Sequence, residues 1–133
     1  EALREPSTLE TIKQYVDSRD EEMRAYSLRA LAAIGGGGAI PTLLDTLKTD
    51  RQPMVRRAAL LGLEPFQAAD PRILPAFIRA LRDRSAEVRI SAVDVVSRID
   101  DPRAREAIFT RNQRERDRDV RRVLASAIKR IGK

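Results

Sequence analysis

The sequence lacks the residue types that most enzymes and metalloproteins depend on. It contains no cysteine, histidine or tryptophan, and aromatic residues make up only 4% of it. Without cysteine and histidine the chain can form neither a disulfide, nor the usual zinc site, nor a Ser-His-Asp or Cys-His nucleophile. We therefore expect a protein that is not an enzyme and that holds no cofactor and no metal.

Long apolar runs and a leader-like start are also missing. No apolar run approaches the roughly 20 residues that a membrane-spanning helix needs, and Glu1 to Pro6 are charged rather than signal-like. We expect a cytoplasmic protein that does not contact a membrane. The first residue is Glu1 rather than a methionine, so the sequence is also compatible with a piece of a longer protein.

Charge is abundant and unevenly distributed along the chain. Charged residues make up 35% of the sequence, which together with few aromatics favours helices with an aliphatic core over a β-sandwich. Residues 1–100 contain 15 basic and 15 acidic side chains, whereas residues 101–133 contain 11 basic and 5 acidic ones. The net charge of +6 therefore lies entirely in the last third.

An apolar residue followed by arginine recurs every 32 or 33 residues, as Met23-Arg24, Val55-Arg56, Val88-Arg89 and Val120-Arg121. Counted from each apolar residue, positions +4, +8 and +11 are apolar or small, which is the spacing of one helical face. A period of this length is typical of stacked helical hairpins. We call the helices that contain these pairs the B helices.

A second helix, the A helix, precedes each B helix. The segment Ala39-Ile40-Pro41 aligns with Ile73-Leu74-Pro75 at a shift of 34 residues. Ser7 or Pro6 stands near the start of the first A helix, whose boundary is the least clear. The sequence thus predicts an all-α solenoid of four hairpins in a single domain, residues 1–133, with approximate repeats 1–35, 36–69, 70–100 and 101–133.

Several residues predict where these helices begin and end. Asp70 and Asp101 are predicted N-caps, each followed by proline at the first helical position. Gly35 and Gly132 follow isoleucine and are predicted left-handed C-terminal caps. Pro65 should stop or kink its B helix early.

The pattern resembles HEAT repeats, in particular the phycobilisome-lyase-like type. The resemblance rests on the valine-arginine pairs, the Ala-Ile-Pro and Ile-Leu-Pro segments, the Asp-Pro starts and the isoleucine-glycine ends, and it covers nearly the whole chain. It implies a reusable binding surface, and similar proteins include scaffolds, chromophore-lyase subunits and DNA-binding glycosylases. The chain departs from the pattern at Gly35-Gly36-Gly37-Gly38, where the later repeats have an Asp-Pro start.

Two motifs that suggest chemistry have simpler explanations. The four glycines lack the downstream Gly-Lys-Ser/Thr of a phosphate loop and predict a flexible turn with positive φ. The acidic runs Asp20-Glu21-Glu22 and Asp100-Asp101 stand at helix starts, where carboxylates cap free N–H groups.

The four arginines of the repeated pairs lie beside the core stripe. They are predicted to form a structural ladder, in which each guanidinium bonds an acidic group such as Asp50 or Asp83 in the preceding turn. The alternative is a row that binds phosphate.

The leading functional hypothesis is a scaffold that binds a partner protein or peptide on the concave surface of the B helices. The candidate stripe comprises Arg29, Arg57, Leu61, Glu64, Ile90, Asp94, Arg122 and Lys129. It is chemically mixed with apolar residues at its centre, which suits a protein or peptide groove. These residues could instead pack against neighbouring repeats.

The first alternative is the binding of nucleic acid or an acidic partner by the basic last third. Its candidate patch comprises Arg111, Arg114, Arg116 and Arg118. Interleaved Glu115, Asp117 and Asp119 weaken the positive field and favour a solvated, self-pairing surface. A weaker alternative, raised only by the resemblance, is a subunit or fragment of a chromophore lyase. The oligomeric state cannot be predicted from these residues.

Overall fold

The computed structural model describes the backbone of residues 4–132 and the side chains of residues 8–132, and its regular elements in that part of the chain are helices. The eight α-helices are α1 (Arg4–Val16), α2 (Glu21–Gly35), α3 (Ile40–Thr49), α4 (Pro53–Leu63), α5 (Ile73–Ala80), α6 (Ala86–Val96), α7 (Pro102–Arg114) and α8 (Arg118–Ile131). Helix α1 begins at Arg4, slightly before the predicted start at Pro6 or Ser7. The side chains of those two residues lie outside the described part.

The chain divides into two compact units, Glu1–Ala69 and Asp70–Lys133. The first unit contains two hairpins, in which α1 packs on α2 and α3 packs on α4, and α2 also packs on α4. The second unit repeats this arrangement with α5 on α6, α7 on α8, and α6 on α8. In each unit the even-numbered helices correspond to the predicted B helices.

The core of the first unit is aliphatic. Leu28 of α2, Leu43 of α3 and Leu60 of α4 are fully buried. Gly62 permits close packing here, because a Cβ atom at this position would lie 3.3 Å from Leu43 Cδ2 and 3.4 Å from Ala32 Cβ. An alanine at position 62 would therefore require the Leu43 side chain to shift by a few tenths of an ångström.

The predicted B-helix stripe is confirmed in most repeats but not in the first. Val55, Val88 and Val120 are fully buried, whereas Met23, at the same repeat position, is 39% exposed. Ile34, at position +11, is 50% exposed. The first repeat therefore turns part of the predicted stripe to solvent. A buried position that the sequence analysis missed is +5, where Leu28, Leu60 and Val93 are fully buried.

Two irregular turns follow from proline and glycine. Helix α4 ends at Leu63 and a 3-10 turn, Glu64–Phe66, contains Pro65, as predicted. The glycine run forms a second 3-10 turn, Gly36–Ala39. Its positive φ, 57°, belongs to Gly36 and not to Gly35, which is the last residue of α2. The predicted cap at Gly35 is therefore displaced by one residue.

The capping predictions have mixed outcomes. Asp20 caps α2 by accepting from the Glu22 and Met23 N–H groups, and Asp101 caps α7 with Pro102 at its first position. The Asp70 cap is wrong, because Asp70 and Pro71 form a turn and α5 begins only at Ile73. Gly132 is also not a left-handed cap. Its φ is −68°, and its N–H continues the helical bonding to the Ile128 carbonyl.

One stretch in the described residues, Glu21–Thr49, is long and apolar enough to cross a membrane by length and composition, with a mean hydropathy of 1.3 over an 18-residue window. The sequence analysis had expected no stretch of this length. The 3-10 turn at Gly36–Ala39 interrupts its α-helical hydrogen bonding. Leu28, Leu31 and Leu43 within it are buried in the first unit. A single such stretch is weak evidence for a span.

Replacing Val88 with aspartate should unfold the second unit. Val88 is fully buried, so the change buries an unpaired carboxylate at a cost on the order of 3 kcal/mol or more. Urea denaturation followed by circular dichroism measures the loss. Met23→Asp is the matched control, because it makes the same chemical change at the same repeat position on a partly exposed site. An equal loss in both variants would contradict the assigned burial.

Candidate functional site

Arginines at one repeat position tie consecutive hairpins together within each unit. Arg24 Nε and Nη2 donate to the two Asp50 carboxylate oxygens at 3.0 and 3.1 Å. Arg89 binds Glu115 in the same bidentate way, at 2.9 and 3.1 Å. In both pairs the carboxylate stands 26 residues after the arginine. Such charge-assisted pairs of hydrogen bonds fix the orientation of both groups.

The third nitrogen of each guanidinium binds the turn before its own helix. Arg24 Nη1 donates to the Ser18 carbonyl at 2.9 Å, Arg56 Nη1 to the Asp50 carbonyl at 2.8 Å, and Arg89 Nη1 to the Asp83 carbonyl at 2.8 Å. The predicted ladder is therefore present, but its expected geometry was wrong. The preceding turn offers a backbone carbonyl, and the carboxylate comes from the turn of the following hairpin.

Glu115 is the most buried carboxylate of this ladder, with only 2% of its side chain exposed. Burial alone would raise its pKa. The hydrogen bonds from Arg89 and the Asp117 N–H, with the charges of Arg89 and Arg111, outweigh burial and leave the pKa below its ordinary value. The same contacts fix the α7–α8 turn, where Asp117 N–H donates to Glu115 Oε2 at 3.0 Å.

The first unit has a small groove between α2 and α4, on the face predicted to bind a partner. It encloses about 260 Å³, and its walls include Tyr26, Arg29, Met54 and Arg57. Tyr26 is 67% exposed, the largest exposure among the bulky apolar side chains of the described residues. Two residues of the predicted stripe, Arg29 and Arg57, therefore lie on one groove.

The second unit has a larger groove between α5 and α7, on its A helices. It encloses about 560 Å³. Pro75, Ile78 and Leu81 of α5 and the following turn supply apolar lining, and Ala107 of α7 adds to it. The charged lining consists of Arg82, Arg103, Arg111, Arg114 and Glu106. An apolar surface beside several guanidinium groups suits a ligand that has apolar parts and carries an anionic group.

The four arginines of this groove differ in their freedom to bind a ligand. Asp101 holds Arg103 through two contacts of 3.1 and 3.0 Å, and Glu115 lies 3.2 Å from Arg111 Nε. Arg82 and Arg114 are exposed and form no ion pair with the side chains that the structure describes. These two guanidinium groups remain available for an anion.

The other residues of the predicted stripe do not share an evident binding geometry. Leu61, Glu64 and Ile90 are half-buried. Asp94 of α6 pairs at 2.9 Å with Arg98, which follows the end of that helix, and Arg122 lies 3.8 Å from Asp119. Lys129 is exposed. Their role in binding remains a prediction.

The predicted basic patch is divided by the structure. Arg111 and Arg114 line the groove between α5 and α7. Arg116 in the α7–α8 turn and Arg118 at the start of α8 are exposed and are not part of that lining. Asp117 is engaged as the N-cap of α8. Sequence adjacency grouped these arginines, but the end of α7 at Arg114 separates them.

The sequence profile of HEAT repeats matches residues 1–64 and, in a second match, residues 40–129. The chain belongs to the HEAT-repeat family. The predicted resemblance and the all-α solenoid class are thereby confirmed. A solved structure, the complex of CpcE and CpcF of phycocyanin lyase from Nostoc sp. PCC7120, has the same fold. Its chain matches 95% of this HEAT-repeat chain and 87% of its own length, with a TM-score of 0.74 and 23% identity.

Two curated relatives share part of the sequence. Phycocyanobilin lyase subunit beta from Nostoc sp. (strain PCC 7120) is 33% identical over 88 residues, 59% of this chain and 44% of the relative. The phycobilisome maturation protein of Synechococcus elongatus is 41% identical over 61 residues, 46% of this chain and 30% of the relative. The HEAT-repeat chain therefore matches less than half the length of each relative.

These relatives overturn the leading functional hypothesis. The sequence analysis predicted a scaffold without enzymatic activity, because cysteine and histidine are absent, and it ranked a chromophore lyase last. The relatives are named as a lyase subunit and a maturation protein, which favours that last alternative. The error lay in the assumption that a chain without these residues has no part in an enzyme.

Removing Arg89 should weaken the second unit. Arg89→Ala leaves the buried Glu115 with Arg111 as its remaining ion-pair partner, and we expect a loss of about 2 kcal/mol in the free energy of unfolding. Urea denaturation at neutral pH measures this loss. The control is Arg98→Ala, which removes an ion pair whose side chains are 50% and 56% exposed and should cost about 0–1 kcal/mol. Equal losses would show that burial does not strengthen the ladder.

The Glu115 carboxylate should also make stability depend on acid pH. Its pKa in the folded chain lies below the ordinary value of 4.5, so its contribution is complete above that value and is lost as the pH falls through the folded pKa. Wild-type protein should therefore lose stability below about pH 4.5 more steeply than Glu115→Gln. Urea midpoints measured from pH 6 to pH 3 test this, and identical slopes would contradict it.

Proposed function

We propose that this chain takes part in the attachment of a bilin chromophore, as a chromophore-lyase subunit or a part of one. The names of the two partial relatives support this proposal, together with the shared fold of the phycocyanin lyase complex. The observation that carries it within the structure is the groove between α5 and α7, which combines apolar walls with unpaired arginines.

A bilin is an extended tetrapyrrole with apolar faces and two propionate groups. The groove offers Pro75 and Ile78 to the apolar faces, and Arg82 and Arg114 to the propionates. Arginine binds a carboxylate through two parallel N–H donors, which gives orientation as well as affinity. This match of chemical types is the reason to place the chromophore here.

The size of the groove favours it over the groove between α2 and α4. Sites for small molecules and cofactors usually enclose about 300–1,000 Å³. The groove between α5 and α7, at about 560 Å³, falls within that range, whereas the groove between α2 and α4, at about 260 Å³, falls below it. Arg29 and Arg57 therefore form the weaker candidate.

The residue types of the chain limit its share of the chemistry. With no cysteine or histidine, it supplies no thiol and no imidazole. Its contribution is to bind the chromophore and hold it in one orientation, while the protein that receives the chromophore supplies the reacting group. Orientation of this kind lowers a barrier by removing translational and rotational freedom before the reaction. A protein partner follows from this role, as in the two-chain lyase complex of similar fold.

Titration with phycocyanobilin tests the proposed site. Absorption and induced circular dichroism of the bilin should saturate on addition of wild-type protein. Arg82→Ala and Arg114→Ala should each raise Kd about tenfold, because each removes one charge-assisted contact. Arg29→Ala, on the smaller groove, is the control and should leave Kd unchanged.

The dimethyl ester of the bilin separates charge from apolar contact. With both propionates blocked, its affinity for wild-type protein should fall to that of the free bilin for the double variant of Arg82 and Arg114. Equal binding of the ester and the free bilin would contradict recognition through carboxylates. Loss of binding in Arg29→Ala alone would move the site to the first unit.

A further inference from the structure

Arg111 of α7 has the one buried side-chain nitrogen or oxygen that lacks a hydrogen-bond partner in the described part of the chain. This atom, Nε, lies 3.2 Å from Glu115 Oε1 in an ion pair but is not aligned for a hydrogen bond. The Arg111 side chain is only 17% exposed. Buried polar atoms are nearly always hydrogen-bonded, so an unpartnered one requires a physical reason.

Glu115 accepts three hydrogen bonds, and none of them comes from Arg111. Its Oε1 accepts from Arg89 Nε at 2.9 Å, and its Oε2 accepts from Arg89 Nη2 at 3.1 Å and from the Asp117 N–H at 3.0 Å. Two arginines beside one carboxylate leave one positive charge in excess. The ladder therefore accounts for the position of Arg89 but not for that of Arg111.

The first unit forms the same ladder contact without a second arginine. Arg111 stands four residues before Glu115. Four residues before Asp50 stands Thr46, whose hydroxyl donates to a backbone carbonyl of its own helix at 2.8 Å. Arg24 nevertheless binds both Asp50 carboxylate oxygens. The ladder does not require Arg111, whose excess charge can therefore serve a ligand.

The outer end of Arg111 belongs to the wall of the groove between α5 and α7. Its Nη1 and Nη2 atoms donate to none of the described residues and are not buried. Arg114 follows three residues later, on the same face of α7, and lines the same groove. The carboxyl end of α7 opposes an anion with about half a negative charge. The two guanidinium charges outweigh it.

We propose that Arg111 and Arg114 act as one arginine pair, which binds a single anionic group of the ligand in the groove between α5 and α7. The pair requires only an anionic group on an apolar body. The identification of that group as a bilin propionate rests on the proposed function. Arg111 is then a determinant of ligand orientation, although its contact with Glu115 seems to satisfy it.

The arginine pair and Arg82 divide the two anionic groups of a bilin between the walls of the groove. Arg82 follows α5, whereas the pair lies on α7. One propionate therefore meets Arg82 and the other meets the pair. Arg111 loses little side-chain freedom when it binds, because it is already held beside Glu115. It thereby fixes the end of the ligand that lies against α7.

Anilinonaphthalene sulfonate, an apolar probe with one anionic group, tests the arginine pair without a bilin. Its fluorescence should saturate on addition of wild-type protein. Arg111→Ala and Arg114→Ala should each raise Kd about tenfold. Arg82→Ala is the matched control in the same groove and should leave Kd unchanged, because a single sulfonate occupies only the pair.

Arg111→Lys guards against a loss of fold. It keeps a positive charge beside Glu115 but cannot donate two parallel N–H groups, so it should still raise Kd, by about threefold or more. Circular dichroism verifies that each variant is folded. The proposal is overturned if the probe does not bind saturably, if both Arg111 variants bind it like wild-type protein, or if Arg82→Ala weakens binding as much as Arg111→Ala.

Titration with phycocyanobilin tests whether the two arginines share one propionate. Arg111→Ala combined with Arg114→Ala should weaken binding little more than Arg114→Ala alone, whereas Arg111→Ala combined with Arg82→Ala should raise Kd about a hundredfold. Independent, multiplied losses for Arg111 and Arg114 would overturn the shared contact. Probe binding as expected without any bilin binding would refute the proposed function and leave the arginine pair in place. Bilin binding that depends on Arg82 and Arg114 but not on Arg111 would do the reverse.

Discussion

The bidentate contact between an arginine and a carboxylate of the next hairpin is the constraint on which each unit depends. A stack of helices held only by aliphatic side chains tolerates small sliding and rotation, because the hydrophobic effect has no preferred direction. Arg24 and Arg89 remove that freedom, since each fixes a carboxylate 26 residues later and a carbonyl six residues earlier. One side chain thus sets the distance between two turns.

In this arrangement the outer surfaces of the helices do not hold the hairpins together. The ladder and the aliphatic core occupy one side of each B helix, so the groove between α2 and α4 and the groove between α5 and α7 can vary in sequence without loss of the stack. The second groove is nevertheless connected to the ladder. Arg111 lines the groove and also lies 3.2 Å from Glu115, the carboxylate that Arg89 holds. A substitution in the ladder should therefore alter the position of Arg111 at one wall of the groove.

The sequence predicts the repeat well because its signals are local and periodic. The valine-arginine pairs identify the B helices, and Pro65 and Asp101 mark an end and a start that the structure confirms. The prediction that Asp70 caps a helix was wrong, because Asp70-Pro71 forms a turn, although Asp101-Pro102 begins a helix. Local sequence does not decide between a turn and a cap. The groove between α5 and α7 was not predicted, because its lining combines residues about 30 positions apart whose meeting depends on how α5 and α7 pack.

The absence of cysteine and histidine was the strongest argument against a role in an enzyme. That argument concerned only the groups that react and not the groups that bind and orient a chromophore. It excludes nucleophiles and imidazole bases on this chain, but attachment of a chromophore also requires that the chromophore be held in one orientation beside its acceptor. Arginines serve that need without taking part in bond formation, because a guanidinium stays charged and presents its donors in a fixed plane. Under the proposed function, a chain with many arginines and no thiol holds a bilin without reacting with it and leaves the reaction to the acceptor protein.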